Sequence, residues 1–134
     1  MSAIKEKSRQ NFEAGDFLIK NNFYAASIHC FYYSCIQLLK FILINNYNKS
    51  EVEIDREAID SKKGFHNWLI NFFYNAHKEI NDKHSTIIHQ KLFKLKKYRV
   101  ESDYKNVGVT YSKSITAKNI SSEILLLLKE DYEL

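Results

Sequence analysis

The chain has 134 residues, 45% of them hydrophobic and 27% charged, and a net charge of +4, which fits one domain able to bury a core rather than a disordered chain. Average usage of roughly 5% Pro and 7% Gly would give about seven and nine of them, whereas this sequence holds no Pro and three Gly. An all-β sandwich or barrel is thereby disfavoured, since its many turns draw on both residues, and long helices are favoured.

Residues 3–20 read as a first amphipathic helix, with Ile4, Ser8, Asn11, Gly15, Leu18 and Ile19 near one face and Lys5, Glu6, Arg9 and Glu13 turned away. Its apolar stripe is thin. Asn21-Asn22 is the only turn signal before the next segment, so the connection is short and the two helices are expected to pack antiparallel.

Residues 23–46 form the longest apolar segment, with two overlapping stripes at helical spacing, one through Ile28, Tyr32, Cys35, Leu39 and Ile42 and one through Ala26, Cys30, Tyr33, Gln37 and Phe41. A helix apolar around most of its circumference is surrounded by others, and this one is expected at the centre of a bundle, roughly 36 Å long. Cys30 and Cys35 are about 140° apart around such a helix and cannot readily bridge, so they read as small buried thiols in a reducing compartment. The longest apolar run, Phe31 to Ile44, is broken by Gln37 and Lys40 and reads as too short to span a bilayer, and the charged start Lys5-Glu6-Lys7 is unlike a signal peptide. The expectation is a soluble, cytoplasmic protein with no membrane partner.

Residues 47–63 are strongly acidic and read as a loop that admits a short helical turn. A third helix begins around Gly64, with a heavy aromatic face of Phe65, Trp68, Phe72 and Phe73. A fourth runs from about Ser85 to Tyr104, and its buried line Ile88, Leu92, Leu95 continues to Arg99. Asp103, four residues on, shares that face and can pair with it. Ser112 or Ser114 would cap a last helix whose apolar face is Ile120, Ile124, Leu127 and Leu128. The whole reads as a single all-α domain over residues 1–134, an antiparallel up-and-down four-helix bundle with a short additional helix, or five helices in all.

The charge is unevenly spread. From Lys78 to Lys118 ten basic residues face four acids, a local balance of +6, and between Lys91 and Arg99 five of nine positions, Lys96 and Lys97 among them, are basic. Such clustering is what phosphate contacts need, although charge runs on helices are usually solvated faces. His66 lies near the start of the third helix, where backbone N–H groups favour anions. The bundle would bring it within reach of Arg99. His29, inside the apolar segment, reads as a hydrogen-bonded core histidine. The spacings of His77, His84 and His89 lack the i, i+4 placement of two ligands on one helical face, so no metal and no cofactor is assigned.

Several segments in order resemble the HEPN family of small prokaryotic helical domains. Asn22-Phe23-Tyr24-Ala25-Ala26 is similar to the family's G-x-Y-x-x-A entry to the second helix, and Phe31-Tyr32-Tyr33-Ser34 with Leu38-Leu39 is similar to its YYA…ALL core. Gly64-Phe65-His66-Asn67-Trp68-Leu69 resembles the start of its third helix. Leu95 to Tyr104, with Arg99, Asp103 and Tyr104, is similar to its L-x-x-x-R-x-x-A-D-Y ending of the fourth, the most specific of these segments.

The resemblance implies a homodimer that binds RNA or a nucleotide, of the kind encoded beside a minimal nucleotidyltransferase partner in toxin–antitoxin or defence systems. Arg99, Asp103, Tyr104, His66, Lys96 and Lys97 are then the binding candidates. The thin first helix, which cannot cover so many aromatics, also points to a dimer. Many members are metal-independent ribonucleases with an R-x(4–6)-H motif; here Arg99 matches the Arg, but Tyr104 stands where the His is expected and no His follows His89. Tyr titrates near pH 10 against about 6.5 for His, so it is poorly poised to shuttle protons near neutrality. A ribonuclease toxin using Arg99 and Tyr104 is the enzymatic alternative, and a non-catalytic helical module that docks a partner protein is the third reading.

Overall fold

A computed structural model describes residues 2–134 and contains six α-helices: α1 (Ala3–Lys20), α2 (Tyr24–Asn46), α3 (Glu51–Ser61), α4 (Phe65–Lys78), α5 (Asp82–Tyr104) and α6 (Tyr111–Tyr132). Among the described residues there is no strand. The four long helices α1, α2, α5 and α6 alternate in direction. Ser8 and Ser34 donate their hydroxyls to each other's carbonyls, both at 2.7 Å, tying antiparallel α1 and α2 at mid-height. Tyr111 meets Tyr24 at one end of α2 and Tyr132 meets Tyr47 at the other, so α6 runs parallel to α2. Arg99 and Asp103, near the C-terminus of α5, lie beside Tyr32 and His29, so α5 runs against α2. The up-and-down bundle expected from the sequence is thus present.

The short α3 and α4 form a side pair inserted between α2 and α5. In α3 the expected loop with at most a helical turn is instead an 11-residue helix capped by Ser50, whose Oγ accepts from the Glu53 N–H at 3.1 Å. Ile54 and Ala58, one turn apart, are buried, and this pair anchors the acidic segment as a helix. Two other helix starts also lie earlier than expected. Asn81 caps α5, ahead of Ser85, and Thr110 caps α6 in place of Ser112 or Ser114, each accepting the N–H three residues on.

α2 is the central helix: 11 of its 23 residues are buried, among them Phe31, Tyr32, Leu39 and Ile42 with no exposed surface. The close approach of α1 depends on Gly15, where a Cβ would stand 2.6 Å from the Phe31 ring. By length and composition α2 is long and apolar enough to cross a membrane, contrary to the reading of its interrupted apolar run; 67% of its apolar window is buried inside the bundle. Cys35 is buried, Cys30 half-buried, and both thiols are free.

Candidate functional site

Helical spacing on α5 sets three side chains at one end of the bundle. Arg99 continues the buried line of Ile88, Leu92 and Leu95, Asp103 follows one turn later, and Tyr104 closes the helix. On α2, His29, Tyr32 and Tyr33 are separated by three and four residues and so share one face. The first turn of α4 supplies His66 and Asn67. The three elements converge on the Arg99 guanidinium.

Arg99 is 6% exposed. Its guanidinium carbon lies 5.1 Å from the Tyr32 ring centroid, 5.6 Å from Tyr33 and 5.7 Å from Tyr104. Three aromatic faces around one cation give it part of what burial takes away, at about 0.5–2 kcal/mol each. Hydrogen bonding gives it little. Nη1 donates to the Tyr104 hydroxyl at a long 3.4 Å, and the buried Nε has no partner among the described residues. The expected pairing with Asp103 is loose, at 3.7 Å from Nη1. Asp103 is held instead by His29, whose Nδ1 lies 2.8 Å from Oδ2.

His29 therefore departs from the core position expected of it: its side chain is 47% exposed and faces Asp103. Three residues back from Tyr32 is a net turn of about 60° around the helix, which keeps His29 on the same face but at its rim, where Tyr32 is buried and His29 is not. Its ring also packs against that of Tyr33, tilted by 36° with the centroids 4.6 Å apart.

His66 is brought to Arg99 through the two tyrosines. Tyr32 Oη lies 2.8 Å from Nδ1 and Tyr33 Oη 3.4 Å from Nε2. Burial, and then the charges of Arg99 and Lys96, push the imidazole down to about 4. It is neutral near pH 7, and a neutral ring receives a hydrogen from one tyrosine and gives one to the other. Tyr32 is pushed up by its burial, against the opposing pull of Arg99. Neither group is charged near neutrality, so the positive charge here belongs to Arg99 and Lys96.

The two candidate lysines part company. Lys96 donates to Asn67 Oδ1 at 2.5 Å and stands on the same side of α5 as Arg99. Lys97 lies about 200° around the helix from Arg99, and it acts on Glu101 on the side facing α6. The structure thus brings Arg99, Asp103, Tyr104, His66 and Lys96 together and leaves Lys97 outside. His29, Tyr32 and Tyr33 are the residues that sequence reasoning assigned to packing. Their i, i+3, i+4 spacing was a signal that they share a face, but nothing local in the sequence says that α5 covers it.

A second polar cluster lies at the other end. Asp131 of α6 receives His77 Nε2 at 2.6 Å and His84 Nδ1 at 2.9 Å. His77 is fully buried, its Nδ1 has no partner among the described residues, and burial lowers its proton affinity against the opposing pull of Asp131. Among the described residues no group of His, Cys, Asp and Glu is placed to hold a metal ion. No family model, curated relative or solved structure matches the chain.

Proposed function

We propose that this protein binds RNA or a nucleotide through the Arg99 site, with the guanidinium as the phosphate contact. The observation that carries the reading is a buried arginine whose Nε is unpaired and whose nearest carboxylate is 3.7 Å away and held by another residue. An arginine kept only for stability is expected to be paired, since an unpaired buried donor costs about 1–3 kcal/mol. Tyr104, 72% exposed at the mouth, offers a ring for base stacking and a hydroxyl for phosphate, and Lys96 adds a second cation. The resemblance of the α2, α4 and α5 segments to HEPN domains supports the same reading and extends it to a cytoplasmic homodimer, a nucleotidyltransferase partner and a role in a toxin–antitoxin or defence system.

A second reading, ribonuclease activity, draws on the two histidines. The motif lacks its imidazole in the chain, but α2 and α4 set His29 and His66 beside Arg99. A third, a protein-docking module, draws on the groove of about 590 Å³ between α1 and α6, lined by Phe12, Leu125 and a half-exposed Leu126.

Anisotropy titration of a labelled single-stranded RNA separates them. The binding reading expects affinity that falls steeply with salt and at least a tenfold loss in Arg99→Ala, in line with about 1.4 kcal/mol or more per lost charged contact. Equal binding by wild type and Arg99→Ala rejects the site. Appearance of shortened RNA in metal-free buffer adds the ribonuclease reading, and its absence removes it.

A further inference from the structure

The Arg99 site already contains an anion, and that anion has two claimants. Asp103 Oδ2 is within hydrogen-bonding distance of His29 Nδ1, at 2.8 Å, but 3.7 Å from Arg99 Nη1. The carboxylate is therefore positioned by the imidazole while its charge is felt by the guanidinium, at a range where a unit charge matters even in water-like surroundings. The geometry points to His29 and Asp103 as a proton-linked control on the affinity of Arg99 for a phosphodiester. This rests on the phosphate-binding reading above.

With His29 neutral, its Nδ1–H donates to Asp103, whose full negative charge offsets that of Arg99. A phosphodiester must then compete with a carboxylate already in place. With His29 protonated, the imidazolium and Asp103 form a neutral pair, and the charge of Arg99 is left for the ligand. Binding of the phosphodiester thus takes up a proton at His29, and the two events favour each other. His29 is accessible for this, with 47% of its side chain exposed against 19% for Asp103.

The ionisable groups that face the pair are Tyr33 and Cys30 on α2, Arg99 and Tyr104 on α5 and, across the Tyr33 ring, His66 on α4. Burial and then the Asp103 charge push the Cys30 thiol up, and His66 is held down to about 4. Both stay neutral across the range in which exposed imidazoles titrate, and arginine stays charged. His29 is the solvent-facing imidazole at the site and the one in contact with Asp103.

The test uses oligouridine with unphosphorylated ends, labelled with tetramethylrhodamine, so that the probe keeps its charge between about pH 5.5 and about pH 8. Wild type is expected to bind several-fold more tightly at the lower pH at constant ionic strength. Asp103→Asn is expected to bind at least about fivefold more tightly than wild type at the higher pH, the size of one unit charge at this range. His29→Gln, which can still donate to Asp103 but carries no charge, is expected to bind at both pH values as wild type does at the higher one. In a titration followed by NMR, Asp103→Asn is expected to lower the midpoint of the His29 ring signals.

Wild-type binding that is independent of pH, with Arg99→Ala still abolishing it, overturns the proton control and leaves the phosphate site standing. A His29 midpoint unmoved by Asp103→Asn overturns the pair directly. No binding by wild type at either pH removes both the control and the reading it rests on.

Discussion

Two histidine–aspartate clusters sit near opposite ends of α5, about 28 Å apart by the helix rise from His84 to Asp103, and they are built from the same residue types to opposite effect. Asp131, with its side chain 8% exposed, holds one nitrogen each of His77 and His84 and so ties α4, α5 and α6 together. Its partners are a fully buried ring and a mostly buried one, so the cluster is closed. Asp103 holds His29 at the rim, beside a guanidinium with an unpaired Nε and an exposed tyrosine over it. The first cluster has placed its carboxylate's charge-bearing capacity on two neighbours. The second has hydrogen-bonding capacity to spare and solvent access to use it. A count of charged pairs does not separate structure from site, and neither does an unpartnered nitrogen alone, since His77 Nδ1 and Arg99 Nε both lack one; the difference is solvent access, large at Tyr104 and His29 and small at His77 and Asp131.

Removing Asp131 should have the largest effect on that contrast. Asp131→Ala leaves the fully buried His77 ring with no partner at either nitrogen, and a loss of about 3 kcal/mol in urea unfolding is expected. RNA affinity measured on the folded fraction should be unchanged. If Asp131→Ala unfolds no more easily than wild type, the closed cluster is not a structural tie.

Acid should weaken both ends. His66 is held down to about 4 against an ordinary 6.5, and the buried His77 is shifted in the same direction. As pH falls, the unfolded chain takes up these protons first, so stability is full above about pH 6.5 and declines as the pH drops, with the His66 part levelling off below about pH 4. Urea midpoints across that range check the sign, and His66→Gln should flatten the part due to the Arg99 end. A midpoint that rises with acid would contradict both assignments.

The finest distinction is between adjacent lysines. Lys96→Ala should weaken RNA binding by about twofold to fivefold and reduce its salt dependence by about one ion, while Lys97→Ala, on the far side of α5, should leave both within error. Equal losses in the two variants would mean that the basic run acts as a diffuse patch and not as part of the Arg99 site.

Much of this was readable along the chain. Arg99 at the end of the Ile88, Leu92, Leu95 line is buried as its spacing requires, and Asp103 one turn on shares its face, because 3.6 residues per turn relates neighbours on one helix without reference to anything else. The α3 helix was hidden because its buried face consists of Ile54 and Ala58 alone, amid five acids that read as a loop. His29 was misplaced because a helix apolar on most sides gives no strong direction to its core, so its one exposed rim could not be found from periodicity.

The sequence by itself therefore determined the helical class, the approximate extent of most helices and the inward turn of Arg99, all of which follow from composition and from contacts within a few residues. Only the tertiary structure decided that Asp103 belongs to His29, 74 residues away, and that Asp131 joins His77 and His84 across 54 and 47. Those pairings depend on how each helix is rotated and how far it slides against α2 and α5, and that is settled by packing the whole core at once. The same packing leaves Arg99 with a cage of rings, a borrowed carboxylate and an unpaired nitrogen.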